Sequence, residues 1–235
     1  MSLDSRYHVP GRAWKFDQSV TDCFDDMLAR SIPGLSGLRE MVSLLTRVYA
    51  QKYSLCVDLG CSTGTQWAHY HDSWSRPAGF TYAGYDESGS MVTAAKTKLK
   101  GKCVESIERH DLRSGFPSDL YSVSVIWAIL TLQFIPVERR RGIIENAYES
   151  LNDGGAFIVV EKCFEHTDNP WKFIYEIYKK SKGYTDDQIN KKAAALENVL
   201  VPLPANATVE MLETAGFYTE SFFQALGFKG WLAVK

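Results

Sequence analysis

The densest run of residues suited to chemistry is Val57-Asp58-Leu59-Gly60-Cys61-Ser62-Thr63-Gly64. An apolar stretch, Leu55 to Leu59, ends at a glycine, and a segment able to form a helix follows from about Thr65. That pattern is a buried strand turning into a helix, the edge at which open α/β folds bind ligands. Gly60 and Gly64 let the backbone turn sharply or approach a ligand closely. A dinucleotide loop, G-x-G-x-x-G, would need glycines where Ser62 and Thr65 stand, and a Walker loop needs a lysine that this one lacks. Asp58, two residues before the first glycine, sits badly beside a phosphate and suits a ligand carrying positive charge, such as an amino group. The other reading of the run is a tight strand–helix turn with no ligand.

Two more strand-like runs end at acids. Asp86 and Glu87 follow Phe80 to Tyr85, and Asp111-Leu112 follows Val104 to Arg109 and His110. A carboxylate ending a second strand can accept both hydroxyls of a ribose, the logic nicotinamide folds use. A carboxylate after the third can accept from an adenine amino group, with Leu112 against the ring. Acids at strand ends are common singly; Asp58, Asp86 and Asp111 in this order are far more specific than any one.

Other conspicuous residues read more plainly. His69 and His71 point about 200° apart on a helix and cannot easily share a metal ion. No metal site is expected. Cys61, with no histidine partner in view, reads as a small residue lining the loop rather than a nucleophile. Arg139-Arg140-Arg141 reads as a solvated helix face. Phe217, Tyr218, Phe222, Phe223 and Phe228 fall on or beside the last two strands, so they read as core or an oligomer face, not as base-stacking residues.

The elements that must position these residues follow from periodicity. Val20, Phe24 and Leu28 mark one helix over 16–29, and Leu38, Met41, Leu44, Leu45 and Val48 a second over 36–50. Strands are expected at 55–59, 80–85, 104–109, 123–129 and 156–161, the last entered through the turn Asp153-Gly154-Gly155. Helices are expected between them at 65–74, 90–100 and 138–151. Such alternation predicts a doubly wound α/β, Rossmann-like sheet, mostly parallel, with helices on both faces. Helices at 171–182 and 186–199 form an insertion, with Gly183-Tyr184 between them. A helix at 208–215 and strands at 218–225 and 231–234 then add an antiparallel hairpin. The chain therefore reads as one seven-stranded domain over 1–235: a helical arm (1–50), a core (54–165), an insertion (166–205) and a C-terminal helix and hairpin (206–235).

Composition agrees. The chain has 235 residues, 45% of them hydrophobic, which suits one domain with a full core. A net charge of −2 gives no basic signature for nucleic acid. Five scattered cysteines with no CxxC pair argue against disulfides and zinc and fit the cytoplasm. The first residues have no apolar core for a signal peptide, and no run approaches the roughly 20 apolar residues of a membrane helix.

The order of elements and the run from Val57 to Gly64 resemble class I methyltransferases dependent on S-adenosylmethionine (SAM). From Trp14 to Lys235 the chain is similar to one branch, the CmoA family of carboxy-SAM synthases of tRNA wobble-uridine modification. The likeness is carried by Trp14-Lys15-Phe16-Asp17, Arg30-Ser31-Ile32-Pro33-Gly34, Asp58-Leu59-Gly60-Cys61-Ser62, Thr131-Leu132-Gln133-Phe134, Glu161-Lys162, Gly183-Tyr184, Leu196-Glu197-Asn198-Val199, Ala215-Gly216-Phe217, Phe223-Gln224 and Ala233-Val234-Lys235. The resemblance implies SAM, S-adenosylhomocysteine or carboxy-SAM as ligand, contacts at Gly60, Cys61, Ser62, Asp86, Glu87, Asp111 and Leu112, and a homodimer. With Asp58, Gly64 and Ile129 these make up the candidate cofactor site.

Departures from the family set the expected reaction. The family has Asn where Glu87 and Ile129 stand, Tyr at Leu35 and Arg at Ala193. That Tyr and Arg are implied to hold the extra carboxylate of carboxy-SAM. A carboxylate out of bulk water needs a charge-assisted partner, and leaving it unpaired costs several kcal/mol. Lys191 and Lys192 are adjacent, but on a helix they point about 200° and 100° away from Ala193, so a local shift is needed for either to substitute. The leading expectation is a methyltransferase acting on an unidentified acceptor, with Glu197, His166 and Tyr184 as candidate bases. Two alternatives stay open: a carboxy-SAM synthase using prephenate and other cations, and a SAM-binding module without catalysis.

Overall fold

The computed structural model describes residues 16–163 and 170–235. The arm over 1–15 with Trp14, and His166, lie outside the described residues. The short apolar runs form strands β1 (Leu55–Leu59), β2 (Thr81–Asp86), β3 (Val104–Arg109), β4 (Val123–Ile129) and β5 (Leu151–Lys162). β1 and β4 are buried almost throughout, as central parallel strands are when helices cover both faces. The parallel order is β3-β2-β1-β4-β5, so chain order reverses between β1 and β4. β6 (Tyr218–Ala225) and β7 (Phe228–Val234) complete the seven-stranded sheet as a hairpin, with β7 antiparallel to β5. The crevice at the carboxyl ends of β1 and β4 is the topological switch point, where ligands bind in open α/β sheets.

The N-terminal helices are α1 (Gln18–Thr21), α2 (Phe24–Ser31) and α3 (Leu35–Tyr49). The core helices are α4 (Thr65–Ser73), α5 (Gly89–Lys98) and α6 (Val137–Ser150). The insertion forms α7 (Pro170–Ser181) and α8 (Asp186–Leu196), and α9 (Ala205–Thr214) leads into the hairpin. One apolar layer joins the sheet to α6 and α9 through Ile126, Ile144, Phe157 and Leu212. The other joins it to α3, α4 and α5 through Val42, Trp67, Tyr82 and Trp127.

Several boundaries shift by up to a few residues, and three of the changes have a visible cause. The helix expected over 16–29 is two helices, because Cys23 leaves the helical region (φ −135°, ψ 8°). Each half has its own electrostatic start: Asp17 accepts from the Ser19 and Val20 amides, and Asp25 and Asp26 occupy the first turn of α2. β5 begins at Leu151 rather than Ala156. The expected Asp153-Gly154-Gly155 turn sits inside it as an irregularity, with Leu151 opposite Val123 and Ala156 opposite Val125. β7 begins at Phe228, three residues before the expected Trp231, because antiparallel pairing to β5 extends to Lys162↔Phe228.

Candidate active site

A cavity of about 240 Å³ opens at the switch point. Of the ten expected cofactor residues, Asp58, Gly60, Cys61, Ser62, Asp86, Glu87, Asp111, Leu112 and Ile129 line it, brought together from the ends of β1, β2, β3 and β4. Gly64 does not line it. Gly64 caps α4 at φ 72°, and a Cβ there would meet Leu99 Cδ1 at 2.7 Å, so it serves helix packing.

Asp58 is 4% exposed and accepts one hydrogen bond, from the Tyr82 hydroxyl to Oδ2 at 2.9 Å. Among the described residues its Oδ1 receives none. Burial, with the Asp86 charge nearby, pushes its pKa up to about 7. An under-satisfied buried carboxylate on the cavity wall fits a cationic group better than any other ligand chemistry.

Asp86 ties two loops together. Its Oδ2 accepts from the Ser62 amide and its Oδ1 from the Ser88 amide, both at 2.9 Å. Burial pushes its pKa up to about 6 against those donors. Ser62 adopts φ 52°, a left-handed conformation rare for a non-glycine residue, and the Asp86 bond holds it there. Cys61 is buried and its thiol pKa is raised well above the ordinary value by burial and by Asp58, the opposite of an activated nucleophile.

At the cavity mouth, Arg113 reaches both remaining acids. It donates to Glu87, and its Nε donates to Asp111 Oδ1 at 2.8 Å. Arg113 holds the Asp111 pKa below its usual value. Position alone gave no sign of this clamp, since Arg113 lies two residues past the third strand-end acid.

Cations also line the cavity, from the end of β5 and from the insertion. Lys162, at the end of β5, lines the cavity, and burial together with Lys179 and Lys172 pulls its pKa down to about 8. Its Nζ lies 5.0 Å from the Tyr175 ring centre on α7. Lys192 on α8 also lines the cavity and donates to Ser31 Oγ at 3.1 Å. Ser31 gathers the insertion onto the end of α2: its hydroxyl meets the Tyr184 hydroxyl at 3.2 Å, and its carbonyl accepts from Tyr175 at 2.9 Å. Ala193 is exposed, so the face of α8 turned to the cavity carries Lys192 and needs no local shift. Lys191 instead pairs with Asp187 at 2.7 Å.

Of the candidate bases, Glu197 is exposed and absent from the cavity wall, and Tyr184 is buried against Ser31. The turn after β4 is held by Glu161, a buried carboxylate accepting the amides of Thr131, Leu132 and Gln133 at 3.1, 2.8 and 2.8 Å. Burial pushes its pKa up to about 8 despite those donors. Leu130, in the same turn, is left-handed at φ 59° and lines the cavity, a strained position that no sequence signal marks.

Arg140 corrects the expected solvated face. It is 3% exposed, and its guanidinium donates to the carbonyls of Ile135 at 2.9 Å and Val201 at 2.7 Å. It thus pins the segment after α8 to the end of the cavity turn. His69 bonds to Ser43 at 3.1 Å and His71 to Asp72, and the described residues hold no metal-binding cluster. Phe217 and Phe228 are core, while Tyr218 is exposed. No helix among the described residues is long and apolar enough to cross a membrane.

Fold and crevice define a class I SAM-dependent methyltransferase fold. Residues 57–157 match the model of a methyltransferase domain. An O-methyltransferase family protein from Burkholderia thailandensis superposes with a TM-score of 0.66 at 17% identity, over 94% of this chain and 60% of that one. Human N-acetylserotonin methyltransferase, solved in complex with SAM, superposes with a TM-score of 0.62 at 14% identity, over 93% and 55% of the two chains. The carboxy-S-adenosyl-L-methionine synthase of Methylococcus capsulatus is 37% identical over 94% of this chain and 93% of its own length. The chain belongs to the carboxy-SAM synthase family, and it is a SAM-dependent transferase.

Proposed function

We propose that the chain makes carboxy-SAM from SAM and prephenate, the alternative rather than the leading expectation from sequence. Prephenate loses its ring carboxyl as carbon dioxide and its hydroxyl as hydroxide to leave phenylpyruvate. The SAM methyl gives its proton to that hydroxide as water, and the methyl carbon bonds the carbon dioxide. One observation supports it: Lys192 stands on the cavity face of α8, while Ala193, at the family's arginine position, is exposed. The cation thought missing has a counterpart one residue earlier. Lys162 adds a second, and both reactant and product of a carboxyl transfer carry carboxylates that need such partners.

In this reading Asp58 takes the SAM ammonium, Asp86 the ribose hydroxyls, and Asp111 with Leu112 the adenine. Glu87 acts through Arg113, and Gly60, Cys61, Ser62 and Ile129 shape the wall. Bound SAM supplies a methyl carbon activated by the adjacent sulfonium. Lys162 and Lys192 hold the carboxyl donor against it. A carboxylate beside Lys162 Nζ raises its pKa from about 8 and keeps it cationic. Ile129, Leu130, Tyr175 and Phe228 exclude water from the reacting end. The exposed Phe173 and Ile177 of α7, at 66% and 50%, suit a homodimer interface. Resemblance supports a cytoplasmic role supplying tRNA wobble-uridine modification.

The test is incubation with SAM and prephenate, followed by mass spectrometry. A product heavier than SAM by the mass of carbon dioxide is expected. SAM recovered unchanged there, together with S-adenosylhomocysteine from an acceptor screen, would favour plain methyl transfer. That second reading rests on Leu35, which lines the cavity with an apolar side chain where the family has Tyr.

A further inference from the structure

The cavity holds a further cation whose charge the surrounding structure leaves almost unused. Arg39, on α3, lines the cavity, with a side chain 22% exposed. Its nearest acid is Asp25 on α2, at 3.9 Å, the limit of an ion pair. Asp25 is already served. Lys98 Nζ lies 2.6 Å from its Oδ2, and the hydroxyls of Thr63 and Thr65 donate to it at 3.0 and 2.9 Å. Among the described residues no hydrogen bond reaches the Arg39 guanidinium. Desolvation lowers the Arg39 pKa, and a loose pair at that distance repays little of the cost of burying a guanidinium.

Location says what would complete it. Arg39 is one helical turn after Leu35, so the two share a face of α3, and both line the cavity. The Gln66 amide donates to the Arg39 carbonyl at 3.2 Å, placing Arg39 against the first turn of α4, directly after the Gly60–Gly64 loop. A planar fork of five donors matches one ligand chemistry above others, a carboxylate taken bidentately.

The geometry points to Arg39 as the residue that binds a carboxylate of the ligand at the amino-acid end of the cavity, on the α3 face that also carries Leu35. This rests on SAM occupying the cavity, not on which group is transferred. The α-carboxylate of SAM, next to the ammonium on Asp58, is the expected occupant; the extra carboxylate of carboxy-SAM is the other source.

Calorimetric titration of the wild-type protein and of Arg39→Met and Arg39→Lys with SAM, decarboxylated SAM and carboxy-SAM tests it. Arg39→Met should weaken SAM at least tenfold and leave decarboxylated SAM within twofold, with partial recovery in Arg39→Lys. A loss confined to carboxy-SAM also supports carboxylate binding and assigns the extra carboxylate. An equal loss for all three ligands means a structural role through Asp25, and no loss means no role; either overturns the inference. Retained binding of decarboxylated SAM by Arg39→Met shows that the variant is folded. Failure of the wild-type protein to bind SAM would overturn the placement of SAM as well.

Discussion

The two walls of the cavity are built in different ways. One wall is acidic and comes from the ends of β1, β2 and β3, where strand pairing sets Asp58 and Asp86, and bonds from backbone amides hold Asp86 and Asp111. The other is cationic and comes from α3, the end of β5 and α8, where Arg39, Lys162 and Lys192 are set by how helices pack. A strand end is fixed by hydrogen bonds that leave no rotational freedom, while a helix can turn and present a neighbouring residue. The acidic groups come from strand ends of the shared fold, and the cationic groups come largely from helices outside that alternation.

That contrast can be broken in order of effect. Asp86→Ala should be the most severe change, because it removes two amide clamps as well as the proposed ribose acceptor. SAM affinity is expected to fall about 100-fold, roughly 2.7 kcal/mol, in calorimetric titration; an unchanged affinity would show that this wall does not hold the cofactor. Lys192→Met tests the other wall alone. Carboxy-SAM formation should drop on the order of 30-fold while SAM affinity stays within about threefold, since one charge-assisted contact is worth roughly 2 kcal/mol.

Asp58 gives a pH signature to the acidic wall. Its folded pKa of about 7 lies above the ordinary value near 4, so the folded state holds this proton more tightly than the unfolded chain does. The group therefore stabilises the ligand-free protein fully below about pH 4, and this contribution is lost as pH rises through about 7. An ammonium ligand needs the ionised form. SAM affinity should accordingly rise about tenfold from pH 6 to pH 8, and Asp58→Asn should flatten that profile. Ala193→Arg is the smallest expected change, within about twofold for either ligand, because Ala193 is exposed and off the cavity wall. A large gain in carboxy-SAM affinity would mean that α8 can rotate.

Sequence legibility follows the same division. β1, β3 and β4 fall on their expected residues, and nine of the ten expected cofactor residues line the cavity, because strand ends and loop glycines leave local marks. Gly64 was legible as a glycine that the backbone requires, but not as one that faces Leu99 instead of the cavity. Arg140 was misread because its neighbours Arg139 and Arg141 look solvated, and only the fold shows the Ile135 and Val201 carbonyls it reaches. Lys192 was seen but aimed wrongly. Helical spacing fixes its angle to Ala193, not which of the two faces inward. Arg39 and Arg113 left no mark, since each matters through a partner distant in the chain or beyond an element's end.

The Tyr82 hydroxyl that bonds Asp58 belongs to a ring stacked on Trp67 at 4.7 Å, with Trp127 6.1 Å from Trp67. The Asp58 carboxylate on the cavity wall is thus wired through one phenol to a buried indole pair. Neutralising or engaging Asp58 changes the polarity felt by that phenol and by the indole beneath it. Ligand arrival should therefore alter the intrinsic emission of the protein, so that it carries its own optical gauge of occupancy. Trp67→Phe should weaken that gauge, and Trp67→Phe with Trp127→Phe should weaken it further, while binding stays measurable by heat.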